Sequence, residues 1–322
     1  RVYLPQHDVW YSTINTWPTK SWYRGKGVSL TDLLAVAGGL KPEATQIKFS
    51  SKDGFKATFS VQEIVYTPRY RFPNFMDTGL PGHLPGDASD RVEVETIIAH
   101  ESFYAHDYDD ILNEENFSKA DANHLLYGQR AVTEQTNARF AKYVTTIEVL
   151  TEPLLKWDNP TADPLPPLPG GVVPVGTLVE LHSPNDDEDK VHYTLDGSDP
   201  TIESPMYNWI ASRWWSSRGN ELDEINHPIE ITQDTVIKAK VIGPGRADSD
   251  IVTFEYKVPP LPPALIPDST DNKVGRDIEI IFTDNEAWRN AVIDVSIEGS
   301  SLEQDKYALE PGKVIIYADV FS

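Results

Sequence analysis

Cysteine is absent from all 322 residues, and methionine occurs only twice. No disulfide, thiolate nucleophile, zinc–thiolate site or thiolate-held haem or iron–sulfur cluster can form in this chain. The lack of cysteine does not by itself fix a compartment. Long apolar runs are missing too. No stretch approaches the ~18 residues that a membrane-crossing helix needs, so no membrane span is expected. Positive charge is scarce: 28 Lys and Arg stand against 50 Asp and Glu, a net charge of −22. Such a surface repels nucleic acid and anionic lipid, so no nucleic-acid partner is expected. It attracts hard cations, Ca²⁺ foremost. There is no serine nucleophile elbow, P-loop or dinucleotide fingerprint. Carboxylates abound, but none sits in a context that marks a general acid and base. The first residue is Arg1 rather than methionine, which reads as a processed chain or a fragment.

What is present is proline, in blocks. Asn159–Gly171 reads NPTADPLPPLPGG, and Lys257–Asp268 reads KVPPLPPALIPD. Proline fixes φ and removes a backbone donor, so both blocks favour extended spacers. They divide the chain into 1–157, a linker at 158–169, 170–257, a linker at 258–267, and 268–322. The length suits two or three domains, and the 39% hydrophobic content suits ordinary cores.

The first segment mixes periods. Leu30–Gly38 reads as a short helix closed by two glycines. Gln46–Ser50 and Phe55–Phe59 alternate like strands around the Lys52-Asp53-Gly54 turn. Val92–Ala99 and Tyr143–Leu150 are further strand candidates. Ala120–Tyr127 is expected to be helical, and Glu134–Val144 is ambiguous. The second segment is almost all β, with strands at Thr177–His182, Val191–Leu195, Thr235–Val241 and Ile251–Tyr256. The third carries strands at Asp277–Phe282, Val292–Ile297 and Lys313–Ala318. The expected fold class is therefore mainly β and multidomain: an N-terminal α+β domain followed by immunoglobulin-like β-sandwich modules. With so few strands, the third sandwich is either incomplete or completed by another chain at an open edge after Lys313–Ala318.

Tyr193, Thr194, Asp196, Gly197, Asp199, Pro200 and Thr201, followed by Thr235, Ile237, Lys238, Ala239 and Tyr256, resemble the chitobiase/β-hexosaminidase C-terminal repeat. That resemblance implies a non-catalytic sandwich and an extracellular setting. An insert at 208–227 departs from its pattern. The stretch Asp277–Phe321 resembles the first half of a haemoglobin-interacting-type surface domain, through the Asp277–Asp284 strand, Trp288 followed by Ile293, and the Leu302–Ile316 hairpin. Haem needs an axial ligand, and no histidine, cysteine or methionine follows His227, so haem ligation is not expected there. Trp22–Gly25, Val28–Leu34 and Ser50–Phe55 resemble the sulfite-oxidase-type molybdopterin fold. Those enzymes ligate molybdenum with a cysteine, so the resemblance implies a cofactor-free structural relative.

Two clusters are candidate sites. His100–Asp110 is rich in polar groups and is followed by Glu114 and Glu115. The two histidines lie six apart and do not form an HExxH pair. Asp107, Asp109, Asp110 and Glu114 are the candidate Ca²⁺ ligands, with a solvated acidic loop as the alternative. In the insert, Trp209, Trp214 and Trp215 would form an interface, a local mini-core or a stacking platform for surface glycan. The run Asn185–Asp189 reads as a hydrated turn or a bridged one, and Asp196 and Asp199 as caps of the turn that Gly197 permits, with a calcium role as the alternative. Arg69–Asp77 either packs beneath the Gly79–Gly86 loop or stacks on a ligand.

These features point to a non-catalytic, secreted bacterial surface protein with a structural or assembly role, a homo-oligomer or homopolymer forming a filament, tube or lattice. The alternatives are a glycan-binding or adhesion module using the three tryptophans, and a metal-dependent enzyme domain at residues 100–115.

Overall fold

The structure, a computed structural model, describes residues 3–15, 20–76, 86–167, 171–183, 190–207, 227–267, 273 and 275–321. The chain is mainly β and divides into two compact units. One comprises Arg1–Pro166, Leu178–Ile229 and Val236–Glu255, and the other Pro167–Thr177, Glu230–Thr235 and Tyr256–Ser322.

The larger unit begins with an antiparallel sheet in the order His7–Ile14, Lys20–Ser29, Ile97–Ala105, His124–Leu126. Lys20–Ser29 lies inside it and is buried at seven of its ten positions. Gly27 sits where the register shifts, and a Cβ there would stand 2.1 Å from the Ile98 carbonyl oxygen. Only a residue without a side chain lets these two strands approach that closely. A second sheet has the order Lys56–Ser60, Gln46–Ser51, Val144–Leu150. Phe49, Phe59, Tyr127, Phe140, Tyr11 and Tyr23 form a shared aromatic core, largely in edge-to-face contacts.

Helix Leu30–Val36 stands where the sequence places it. Ser29 caps it by accepting the Asp32 N–H, and Gly38 and Gly39 end it with φ of 109° and 77°. The hairpin around Gly54 also forms, with Gln46 opposite Ser60. Three expectations change. Ala120–Tyr127 holds no helix; its residues His124–Leu126 are a buried strand paired with Ile97–Ala99. Val92–Ala99 divides into a short strand at Val92–Glu93 and the start of Ile97–Ala105. The hairpin of His7–Ile14 with Lys20–Ser29 was not anticipated as strands at all.

The β-module of the larger unit has a sheet in the order Met206–Tyr207, Lys190–Thr194, Thr235–Ile242, Val252–Tyr256. Thr161–Asp163, inside the first proline-rich stretch, pairs antiparallel with Glu180–His182. The residue Asp196 caps its turn by accepting from the Ser198 N–H at 2.9 Å, while Asp199 pairs with Lys238 at 2.9 Å.

The smaller unit is built on one antiparallel sheet in the order Ile266–Pro267, Ile278–Ile281, Lys313–Ile316, Tyr307–Glu310. The strand expected to form the open edge, Lys313–Ile316, is internal, paired on both sides. Among the described residues the sheet ends at Ile266–Pro267 on one side and at Tyr307–Glu310 on the other. Of the expected strand at Val292–Ile297 only Ser296–Ile297 is extended, pairing with Ser300–Ser301, and a helix at Glu286–Ala291 precedes it. No helix among the described residues is long and apolar enough to cross a membrane, which says nothing of a β-barrel.

Candidate functional site

The four-stranded sheet of the smaller unit carries a small cluster of buried side chains. Phe282, Val314 and Ile316 are buried, with Trp288 and Leu309 among the side chains packed half-exposed around them. Trp288 meets Phe282 edge-to-face with ring centroids 5.0 Å apart. Asn285 fixes the helix start by accepting the Trp288 N–H at 3.1 Å. Asp284 holds Arg289 in two contacts of 2.7 and 3.3 Å and also accepts the Gly312 N–H. The hydrogen bonds from Arg289 set its carboxyl below the usual aspartate range. This frame leaves a groove of about 420 Å³ between the Pro259–Pro262 segment and the end of the helix, walled by Trp288, Ala291 and Ile293. Ile293 is 98% exposed, and Leu261 is 75% exposed. An isoleucine held in water forgoes the ~1.5–3 kcal/mol that burial brings. The groove is thus an apolar surface with unused burial energy.

The acidic turn has a different character. Asp107 precedes the short helix Tyr108–Ile111 and makes no side-chain cap bond. Asp107, Asp109, Asp110 and Glu114 are all exposed. Glu114 turns toward Arg24 and Lys26, each at 3.5 Å, and Arg24 is bidentate to Asp8 at 2.8 and 2.9 Å. His106 packs on Tyr104, with Nδ1 3.2 Å from the phenol oxygen. Among the described residues, no three histidine or carboxylate groups gather where they would hold a metal ion. Trp209, Trp214 and Trp215 lie outside the described residues, as do the whole run Asn185–Asp189 and all of the Gly79–Gly86 loop but Gly86.

Arg69–Met76 is packed rather than displayed. Phe72 and Phe75 are buried, and the Arg71 guanidinium lies 3.7 Å from the centre of the Trp10 ring. Arg69 is the hub of a buried charge network that sequence reasoning missed. It meets Glu63 at 3.0 Å and Glu134 at 3.3 Å, and donates to the carbonyls of Glu63 and Gly128. Arg130 closes the network on Glu134 at 2.7 Å. Burial lifts the Glu63 carboxyl above its ordinary range despite Arg130 and Arg69. Burial pushes Glu134 the same way, but Arg130 and Arg69 outweigh it and hold that carboxyl low. The four side chains neutralise one another in the interior, and Arg130 also reaches the wall of a neighbouring groove.

Residues 179–256 match the Fn3 associated family. Residues 265–322 match the family described as heme-binding protein Shr-like, Hb-interacting domain. No curated protein sequence matches the chain. The Fn3 associated match takes the place of the expected chitobiase-type repeat, and nothing supports the molybdopterin resemblance. Both matched segments are modules of a non-catalytic, binding kind. The Hb-interacting type is characteristic of bacterial cell-surface and secreted proteins, so the chain is extracellular or surface-held.

Proposed function

We propose that the chain is a non-catalytic bacterial surface protein that works by docking, and that its smaller unit seats a protein partner on the groove between Pro259–Pro262 and helix Glu286–Ala291. The observation that carries this reading is Ile293, 98% exposed at the lip of that groove beside Trp288. A water-facing isoleucine next to an indole is the arrangement of an interface anchor. The name of the family matched over 265–322 supplies the candidate partner, haemoglobin. No histidine, cysteine or methionine follows His227, so the reading takes the protein surface of haemoglobin, not its haem, as the occupant. The test is binding of the full chain to immobilised haemoglobin, with Ile293→Asp and Leu261→Asp beside it. Saturable binding weakened at least about tenfold by either change supports the reading. A flat response from the unaltered chain sinks it.

A second reading is self-assembly into a filament, tube or lattice. It is favoured by Tyr307–Glu310, which among the described residues pairs on one side and offers its other side to a strand of a neighbouring copy. Light scattering over a range of concentrations that finds only monomers removes it. Glycan binding by Trp209, Trp214 and Trp215 stands as a proposal from sequence; a Ca²⁺ site at Asp107, Asp109, Asp110 and Glu114 would need these side chains to leave the arrangement described above.

A further inference from the structure

A second groove, of about 470 Å³, lies within the larger unit, where the N-terminal sheets meet the Fn3 associated segment. Its apolar lining comes from Pro68, Pro200, Ile202 and Ile242. Three cations converge on it: Arg91, Arg130 and Lys240. In a chain of net charge −22 this is an unusual concentration of positive groups.

None of the three is fully used by the protein. The Arg91 guanidinium covers the Tyr70 ring at 4.4 Å, and the Glu203 carboxylate oxygen near it stands at 3.7 Å, beyond hydrogen-bond distance. Arg130 donates from Nε to Glu134 at 2.7 Å. Its Nη2 is shielded from solvent and has no hydrogen-bond partner among the described residues; the Glu63 oxygen lies 3.9 Å away. Lys240 contacts Asp248 at 2.7 Å, which engages one of its three N–H groups. Donors therefore exceed acceptors in this groove. Glu203 and Asp248 line the same space and keep lone pairs able to accept hydroxyl protons.

We propose that this groove binds a carboxylate-bearing sugar, a uronic-acid residue, with its carboxylate among Arg91, Arg130 and Lys240 and its hydroxyls donating to Glu203 and Asp248. The volume suits a small ligand, which typically takes about 300–1,000 Å³. The prolines and isoleucines offer an apolar wall for the C–H face of a pyranose ring. Two carboxylates in the wall disfavour a compact dianion such as phosphate and suit a monoanion rich in hydroxyls. The site is separate from the groove beside Ile293, so it stands or falls independently of haemoglobin docking.

The test is an NMR or calorimetric titration of the full chain with D-glucuronate, D-glucose and inorganic phosphate. Arg91→Ala and Lys240→Ala are run in parallel. Arg91 is half exposed and its role in packing is confined to the Tyr70 face, so the first variant retains the fold, checked by circular dichroism. A single sugar unit is expected to bind with Kd on the order of 1 mM. Glucose and phosphate should bind at least about tenfold more weakly, and Arg91→Ala should cost glucuronate a similar factor. Absence of glucuronate binding up to about 20 mM overturns the proposal. So does phosphate or glucose binding as tightly as glucuronate, or equal glucuronate affinity in both variants and the unaltered chain.

Discussion

Glu63 accepts the backbone N–H of Gly245 at 3.3 Å, across 182 positions of sequence. The bond ties the buried Glu63–Arg69–Glu134–Arg130 network to the turn that follows strand Thr235–Ile242. The same turn is held from its other side. Trp157 donates its backbone N–H to Ala247 at 2.9 Å and its indole N–H to the Gly243 carbonyl at 3.2 Å, and Arg246 lies over the Trp157 ring at 4.6 Å. Lys190 reaches Gln135 in the interior. The Fn3 associated segment is therefore fastened to the N-terminal sheets by directed bonds, and most of it, without Glu230–Thr235 and Tyr256, belongs with them to one compact unit.

Removing the hub of that network should be costly. Arg69→Met leaves Glu63 and Glu134 buried with one cation fewer. Stranding a buried charge typically costs about 3–5 kcal/mol. Urea unfolding should show a midpoint lowered accordingly. Coincident transitions are expected from probes in the N-terminal sheets and in Thr235–Ile242. A loss under about 1 kcal/mol would show that the network contributes little.

Gly245→Ala tests the same joint from the backbone side. Gly245 has φ of +83°, and a Cβ there would meet the Thr58 carbonyl oxygen at 3.0 Å and the Arg139 guanidinium at 3.2 Å. Strain at a left-handed position costs about 1–3 kcal/mol. Hydrogen exchange should rise at Lys56–Ser60 and in the turn after Ile242 together. Protection unchanged at either place would mean the contact is dispensable.

Local signals made part of this fold legible. The Gly54 hairpin and the Ser29-capped helix need only neighbouring residues, and both stand as the sequence indicates. Lys20–Ser29 gives no strand signal because its inward positions include Gly25, Gly27 and Ser29, so burial alternates there without an apolar side chain to mark it. Ala120–Tyr127 carries helix-compatible residues, but pairing of His124–Leu126 with Ile97–Ala99 overrides local preference. Glu114 reads as one of a run of acids, yet its cations Arg24 and Lys26 lie far upstream. Arg91, Arg130 and Lys240 are scattered along the chain and only the tertiary fold gathers them. Ile293 was visible as a family cue following Trp288, but its exposure was not.

Trp288→Ala removes the indole that packs on Phe282, one of the three buried side chains of the cluster in the smaller unit. Truncation of a packed tryptophan costs about 3–5 kcal/mol when fully buried, and Trp288 is half-buried, so about 2 kcal/mol is expected. Amide exchange should accelerate at Lys313–Ile316. Protection in Gln46–Ser51 of the larger unit should stay constant. Faster exchange in both units, or in neither, contradicts the expectation.

Acid should weaken the larger unit through His192. Its Nδ1 lies 3.0 Å from the Ser204 carbonyl, and Lys190, Arg130 and Asp248 are the charged groups that act on it. Burial, together with Lys190 and Arg130, pushes its pKa down to about 4, although the Ser204 contact and Asp248 act in the opposite direction. The unfolded chain takes up this proton near pH 6.5, and the folded chain resists until about pH 4. The unfolded state therefore binds more protons across that window. Stability is fully present above pH 6.5, declines as pH falls, and is lost by the folded value. Between pH 7.5 and 4.5 the loss from this one group amounts to about 2–3 kcal/mol. His192→Gln cannot titrate, so its unfolding free energy should fall less over the same interval, by about that difference. Parallel slopes for the two proteins would mean that His192 does not carry the proton uptake.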